Sequence, residues 1–276
     1  MRPGPGPGRA RAGSGPPAAP ESAARATGTS LTCGVISAPL TARLRADPPL
    51  AHGDDRYLGL AWPALEWLER NVEPTMTTLE TGSGSSTIVF AGRGSAHTAI
   101  SPVPDEHARI ARWCDEHGIA HDRVRFIAAS SHTALLHDWA PEPLDLVLID
   151  GAHSFPFPVL DWLYTAEHLK VGGRVLVDDA YQPAVNVLAR YLRSHPSWEL
   201  EVVPGHRTPV FRKVGEAALS FDWDDRALGR ARFDYLPPGR RVAAAARYRL
   251  LERTVLGRTL PKLAPVIARA RRRAGR

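Results

Sequence analysis

Three groups of residues in this sequence have types and spacings suited to chemistry. The first is Thr78-Leu79-Glu80-Thr81-Gly82-Ser83-Gly84-Ser85-Ser86-Thr87. A short apolar run ends in an acid, a turn with two glycines follows, and a helix-like run starts at Ser85. Glycines at 82 and 84 allow a backbone to approach a ligand closely, and a helix N-terminus offers free N–H groups. Strand, glycine turn and helix in that order therefore read as a nucleotide site. A P-loop is the weaker reading, since no Lys precedes the Ser/Thr pair. A nicotinamide site would prefer a third glycine. The second group is Asp150-Gly151-Ala152-His153, which follows the run Val147-Leu148-Ile149. A carboxylate at the carboxyl end of a central strand lies where open α/β sheets bind ligands. His153, with an ordinary pKa near neutrality, follows in the same loop and is the candidate general base, ahead of His132 and His137. The third group is Val177-Asp178-Asp179 at the end of another apolar run. Adjacent carboxylates in a strand point to opposite faces, and on the plainest reading one of them caps the helix near Pro183.

These residues need a sheet to position them. The pattern predicts strands at Thr77–Thr81, His97–Ser101, Val124–Ala128, Leu144–Asp150, Arg174–Asp178, Glu199–Val203 and Pro209–Lys213. Helices are predicted at Ser85–Gly92, Asp105–His117, His132–His137, Pro158–Leu169 and Pro183–Ser194, with an earlier one over Ala61–Val72 carrying Leu65, Trp67 and Leu68. This alternation means a mostly parallel sheet with helices on both faces. Only residues 204–208 separate the last two strands, so the seventh should run antiparallel.

The six parallel strands, the antiparallel seventh and Glu80-Thr81-Gly82-Ser83-Gly84-Ser85-Ser86 together resemble the class I S-adenosylmethionine-dependent methyltransferases, over residues 60–215. Ser86 stands where that family has a third glycine. The resemblance implies a Rossmann-like fold and a site for S-adenosylmethionine made by Glu80, Thr81, Gly82, Ser83, Gly84, Ser86 and Thr87, with Asp150 bordering both cofactor and substrate. Family members carry a ribose-binding acid at the end of strand two, where this chain has Ser101; Asp105 and Glu106 are expected to cap the next helix instead. Ser130 and Ser131 fall where relatives contact adenine, and also suit a helix N-cap. Asp150, Asp178 and Asp179 resemble the acidic site of Mg²⁺-dependent O-methyltransferases of the catechol and macrolide-sugar types, since hard carboxylates suit Mg²⁺. The chain lacks the Asn/Asp-Pro-Pro-Tyr pattern of base-amino methylation and has no cysteine in a catalytic motif. The implied reaction is therefore O-methylation of a small-molecule hydroxyl, with Asp150 and His153 as the catalytic residues. Trp162, Tyr164 and Tyr181 are candidates to line a substrate pocket, although aromatic residues on helices more often pack as core.

Bulk properties bound the alternatives. With 276 residues, 43% of them hydrophobic, the chain has material for a large core. Two cysteines, Cys33 and Cys114, are too few for a disulfide framework or a zinc site, which suits a reducing, cytoplasmic compartment. The net charge of +6 is unevenly placed: from Arg240 onward twelve Lys/Arg oppose only Glu252, so the rest of the chain sums to −5. That acidic body does not suggest DNA as a partner. Eleven of the first twenty residues are Pro or Gly, so residues 1–30 are expected to be a disordered arm. The expected order is then a helical segment over 31–75, the cofactor-binding domain over 76–215 and a basic helical extension over 216–276. The extension reads as two helices, Val242–Leu256 and Leu260–Arg273. They would pack on the body or on a partner subunit in a homo-oligomer, or lie on an anionic surface. Two further readings stand beside the enzyme: a degenerate, non-catalytic binding module, motivated by Ser101, and an RNA methyltransferase using the basic tail.

Overall fold

The structure, a computed structural model, describes residues 38–49, 51–52, 59–139, 142–217 and 234–253. Seven strands form one sheet: β1 (Thr77–Thr81), β2 (Ala96–Ile100), β3 (Val124–Ile127), β4 (Leu144–Ile149), β5 (Leu169–Val177), β6 (Trp198–Val202) and β7 (Val210–Lys213). Their order is β3-β2-β1-β4-β5-β7-β6. β1 to β5 pair in parallel, while β7 inserts between β5 and β6 and is antiparallel to both. The sheet and its antiparallel last strand are as the spacing predicts.

Helices cover both faces. α1 (Leu40–Ala46), α2 (Trp62–Asn71), α3 (Ser85–Arg93) and α4 (Pro104–Glu116) lie on one side; α5 (Ser131–His137), α6 (Phe157–Ala166) and α7 (Pro183–Ser194) lie on the other. Side chains in a strand alternate between faces, and β4 shows it: Leu146 and Leu148 join the core with Leu65, Leu68 and Phe90, whereas Val147 and Ile149 join the core with Trp162 and Leu188. Each fully buried Leu or Phe contributes roughly 1.5–3 kcal/mol, so both cores clamp the sheet from which the site projects.

Some boundaries differ from expectation. α6 ends at Ala166, and Leu169 opens β5 by pairing with Leu144. α1 has no strong signature in its seven residues; it is fixed by Glu69, whose carboxylate accepts from the backbone N–H groups of Leu40 and Thr41 and from the Thr41 hydroxyl. Trp162 is core, and Tyr164 packs against the same core. In the basic extension α8 spans Pro238–Arg253; the arm over 1–30 and the second tail helix lie outside the described residues. Among the described residues no helix is long and apolar enough to cross a membrane.

Candidate active site

The strand order reverses between β1 and β4, and open α/β sheets bind ligands at the carboxyl ends beside such a reversal. The Asp150 N–H donates to the Thr81 carbonyl at 3.0 Å, which ties the two strand ends together. A cavity of about 680 Å³ opens there. Gly82, Ser83, Gly84 and Ser86 line it, together with Ser101, Ser130 and Ser131 and with Asp150, His153, Asp178 and Asp179. The structure thus brings together eleven of the residues singled out from the sequence.

Gly82 has a φ of +99°, and a Cβ there would lie 2.4 Å from the Asp150 carbonyl oxygen. The close approach is therefore between the β1 turn and the end of β4, and it leaves backbone facing the cavity. Gly84 precedes the first turn of α3, and its N–H donates to Thr87 Oγ1 at 3.0 Å.

Glu80, Thr81 and Thr87 do not line the cavity. Strand alternation turns Glu80 toward α3, where it is 1% exposed. Its carboxylate accepts from Ser86 Oγ at 2.6 Å and from the Thr87 hydroxyl, and His97 Nε2 lies 3.2 Å away. Glu80 thus holds the first turn of α3 against β1 and acts on the glycine turn from behind. Thr81 faces the opposite side, next to Gly151 and the buried Asp161.

A carboxylate does reach the end of β2, from the first turn of the next helix. Glu106 does not cap α4, which has no side-chain cap, but folds back into the cavity. Its Oε2 accepts from Ser101 Oγ at 2.7 Å and from Ser83 Oγ at 3.2 Å, and its Oε1 lies 2.8 Å from His52 Nδ1. Burial works to raise its pKa, but the hydrogen bonds from Ser101, His52 and Ser83 outweigh it and hold the group below the usual carboxylate value. An ionised acid thus faces the cavity beside the β2 end. Glu106 looked like a helix-start acid in sequence, where its i−5 relation to Ser101 was the only available signal. His52, from the segment before α2, carried none.

Asp150 and His153 form a pair, with His153 Nε2 3.4 Å from Asp150 Oδ1. Desolvation pushes Asp150 up to about 7, helped by the charge of Asp178 and opposed by His153. The adjacent Asp150 carboxylate in turn raises the His153 pKa against the effect of burial. On its other edge His153 Nδ1 meets Gln182 Nε2 at 3.0 Å and Asp179 Oδ2 at 3.5 Å. His132 also lines the cavity, whereas His137 is exposed at the end of α5, away from it.

The metal expectation finds no support in what surrounds the acids. Among the described residues no group of three or more His, Cys, Asp or Glu is arranged to hold a metal ion. Asp178 and Asp179 do not diverge as strand neighbours would, because Asp179 adopts a φ of +54° beyond the end of β5. Both carboxylates turn to Arg207, in the β6–β7 connection, which had no sequence signal. Neither acid caps α7; Gln182 at its start instead donates to Asp179 Oδ2. With the Arg207 guanidinium already paired to both acids, the set as it stands does not fit Mg²⁺.

A seven-stranded sheet of this order with a glycine turn at the β1–β4 reversal is the class I methyltransferase fold. Residues 79–180 match the family model of a methyltransferase domain, which bears out the resemblance read from the sequence. Solved structures agree in fold. They include the O-methyltransferase TomG from Streptomyces achromogenes in complex with SAM (18% identity, 64% of this chain and 90% of that chain, TM-score 0.52). Cofactor-bound Rv0187 from MTB is also similar (18% identity, 66% and 92%, TM-score 0.51). So is an O-methyltransferase from Bacillus cereus in complex with SAH (14% identity, 64% and 90%, TM-score 0.51). At these identities the likeness is one of fold. No curated protein matches the chain.

Proposed function

We propose that this protein transfers a methyl group from S-adenosylmethionine to the hydroxyl oxygen of a small molecule. The observation that carries the reading is that one cavity holds both a cofactor-type wall and a proton-accepting pair. The residues fit the cofactor: a glycine turn whose close packing against the end of β4 no side chain at 82 would permit, and an ionised Glu106 facing the same cavity. Ser130 and Ser131, at the start of α5, line the cavity and suit the adenine. O-methyltransferases among the structures of similar fold support a hydroxyl acceptor.

When bound, S-adenosylmethionine supplies an electrophilic methyl group on a sulfonium sulfur. The chain's own contribution is to hold the acceptor oxygen in line with that methyl and to take its proton. Positioning of this kind accounts for a large share of such rate enhancements. Asp150 and His153 accept the proton as one unit, because each lies beside the other and shifts its pKa. The Asp150 pKa, raised to about 7, places its change of state near neutrality, where a general base works best. Activity should therefore fall as pH drops below about 7, as the pair fills with protons; a pH–rate profile of kcat/KM reads this directly.

Glu106→Gln keeps the shape of the side chain and removes its charge. It should weaken S-adenosylmethionine binding by roughly tenfold or more, the scale of a lost charged hydrogen bond. Equilibrium binding measured by calorimetry tests this, and unchanged affinity would remove Glu106 from the cofactor site. The non-catalytic reading drew on Ser101, and the Glu106 carboxylate hydrogen-bonded to it supports the catalytic reading instead.

A further inference from the structure

Arg207 is anchored beside the acids it serves. Its carbonyl accepts from the Ala180 N–H at 2.9 Å, which fixes the β6–β7 connection against the residue following Asp179. From there its Nη2 donates to Asp178 Oδ2 at 2.8 Å and its Nε pairs with Asp179 Oδ1 at 2.9 Å. Thr208 Oγ1 donates to Asp178 Oδ1, and Gln182 Nε2 donates to Asp179 Oδ2 at 2.9 Å. Three of the four carboxylate oxygens thus accept a hydrogen bond from a protein donor, and the fourth, Asp179 Oδ1, has no hydrogen bond but lies within ion-pair distance of Arg207. Asp178 is 1% exposed and Asp179 8%, so their charges need a partner within the protein. The guanidinium itself is a third exposed and lines the cavity.

We propose that the Arg207 guanidinium is the resident cation of the Asp178–Asp179 carboxylates, taking the place that a divalent metal would need. Mg²⁺ requires carboxylate oxygens at about 2.0–2.1 Å in near-octahedral geometry. It could reach these only by displacing Arg207 from both acids and the Thr208 hydroxyl from one. A fork of N–H donors on a charge that is always present matches two carboxylates well. The arginine thereby does for the two buried acids what a metal would do, with no dependence on metal supply. It also leaves a cationic edge toward the cavity for an acceptor oxygen. This inference concerns the same cavity as the proposed function, but its test reads metal binding rather than methyl transfer, so either can fail alone.

The test is electron paramagnetic resonance of Mn²⁺ titrated with the full chain. The wild type should leave the free-ion spectrum intact. Arg207→Met, which keeps length and loses charge, should uncover the acids and remove the free-ion signal, and Arg207→Met/Asp178→Asn should restore it. Arg207→Lys keeps a cation without the fork and should bind less Mn²⁺ than Arg207→Met. If Arg207→Met does not melt cooperatively, Arg207→Gln is read in its place. Mn²⁺ binding by the wild type that Asp178→Asn abolishes would overturn the proposal. So would a folded, uncharged variant at 207 that binds no more Mn²⁺ than the wild type.

Discussion

Replacing His153 by Ala is expected to lower the rate of methyl transfer by about 10²–10⁴-fold, the usual worth of a positioned general base, with S-adenosylmethionine affinity unchanged. The size follows from the coupling of two groups. Burial and the charge of Asp178 raise the Asp150 pKa, and His153 is what opposes them. Without the imidazole Asp150 moves further up and is protonated at neutral pH, so the variant loses both members of the base at once. The acid limb of its pH–rate profile should therefore shift to higher pH, with part of the activity recovered under alkaline conditions. A purely structural role for His153 would lower the rate without moving that limb. Single-turnover rates across a pH series, with any hydroxyl acceptor that turns over, separate the two cases.

Gly82→Ala is expected to abolish cofactor binding and to destabilise the fold by on the order of 2–4 kcal/mol, the upper range for a residue forced into a strained backbone conformation with a clash. The added Cβ would sit 2.4 Å from the Asp150 carbonyl oxygen, which is backbone and cannot rotate away. Relief requires β1 and β4 to part at the point where the cavity forms. Gly172→Ala is the matching control. Gly172 has a similarly left-handed φ of +89°, but its Cβ would meet nothing within 4 Å, and it lies in β5 away from the cavity lining. It should cost only about 1–2 kcal/mol, the steric penalty of that conformation for a residue with a Cβ, and leave cofactor affinity intact. Thermal melts paired with calorimetry distinguish a general loss of stability from the specific loss of the glycine turn.

The sheet was legible because it depends on local signals. Val147-Leu148-Ile149 and Val175-Leu176-Val177 are apolar on both faces, as strands between two helical layers must be. The seven residues between β6 and β7 are too few for anything but a reversal. The glycine turn and Asp150 were legible for the same reason, since strand ends and turns carry their own chemistry. What could not be read depends on contacts distant in sequence. Arg207 meets Asp178 across 29 positions and His52 meets Glu106 across 54. The left-handed backbone at Asp179, a non-glycine residue, redirected a carboxylate that alternation would have sent the other way. Glu80 differs in another way: read from the sequence as a cofactor contact, its side chain is turned by alternation behind the glycine turn and away from the cavity.

The central claim is that the cavity at the β1–β4 reversal is a cofactor site joined to a proton-accepting pair, and its most direct test is calorimetric titration of the purified chain with S-adenosylmethionine in excess chelator. The expected result is saturable binding at one site per chain, weakened by Glu106→Gln and lost in Gly82→Ala. An absence of binding by the wild type, with chelator or with Mg²⁺ supplied, would contradict it.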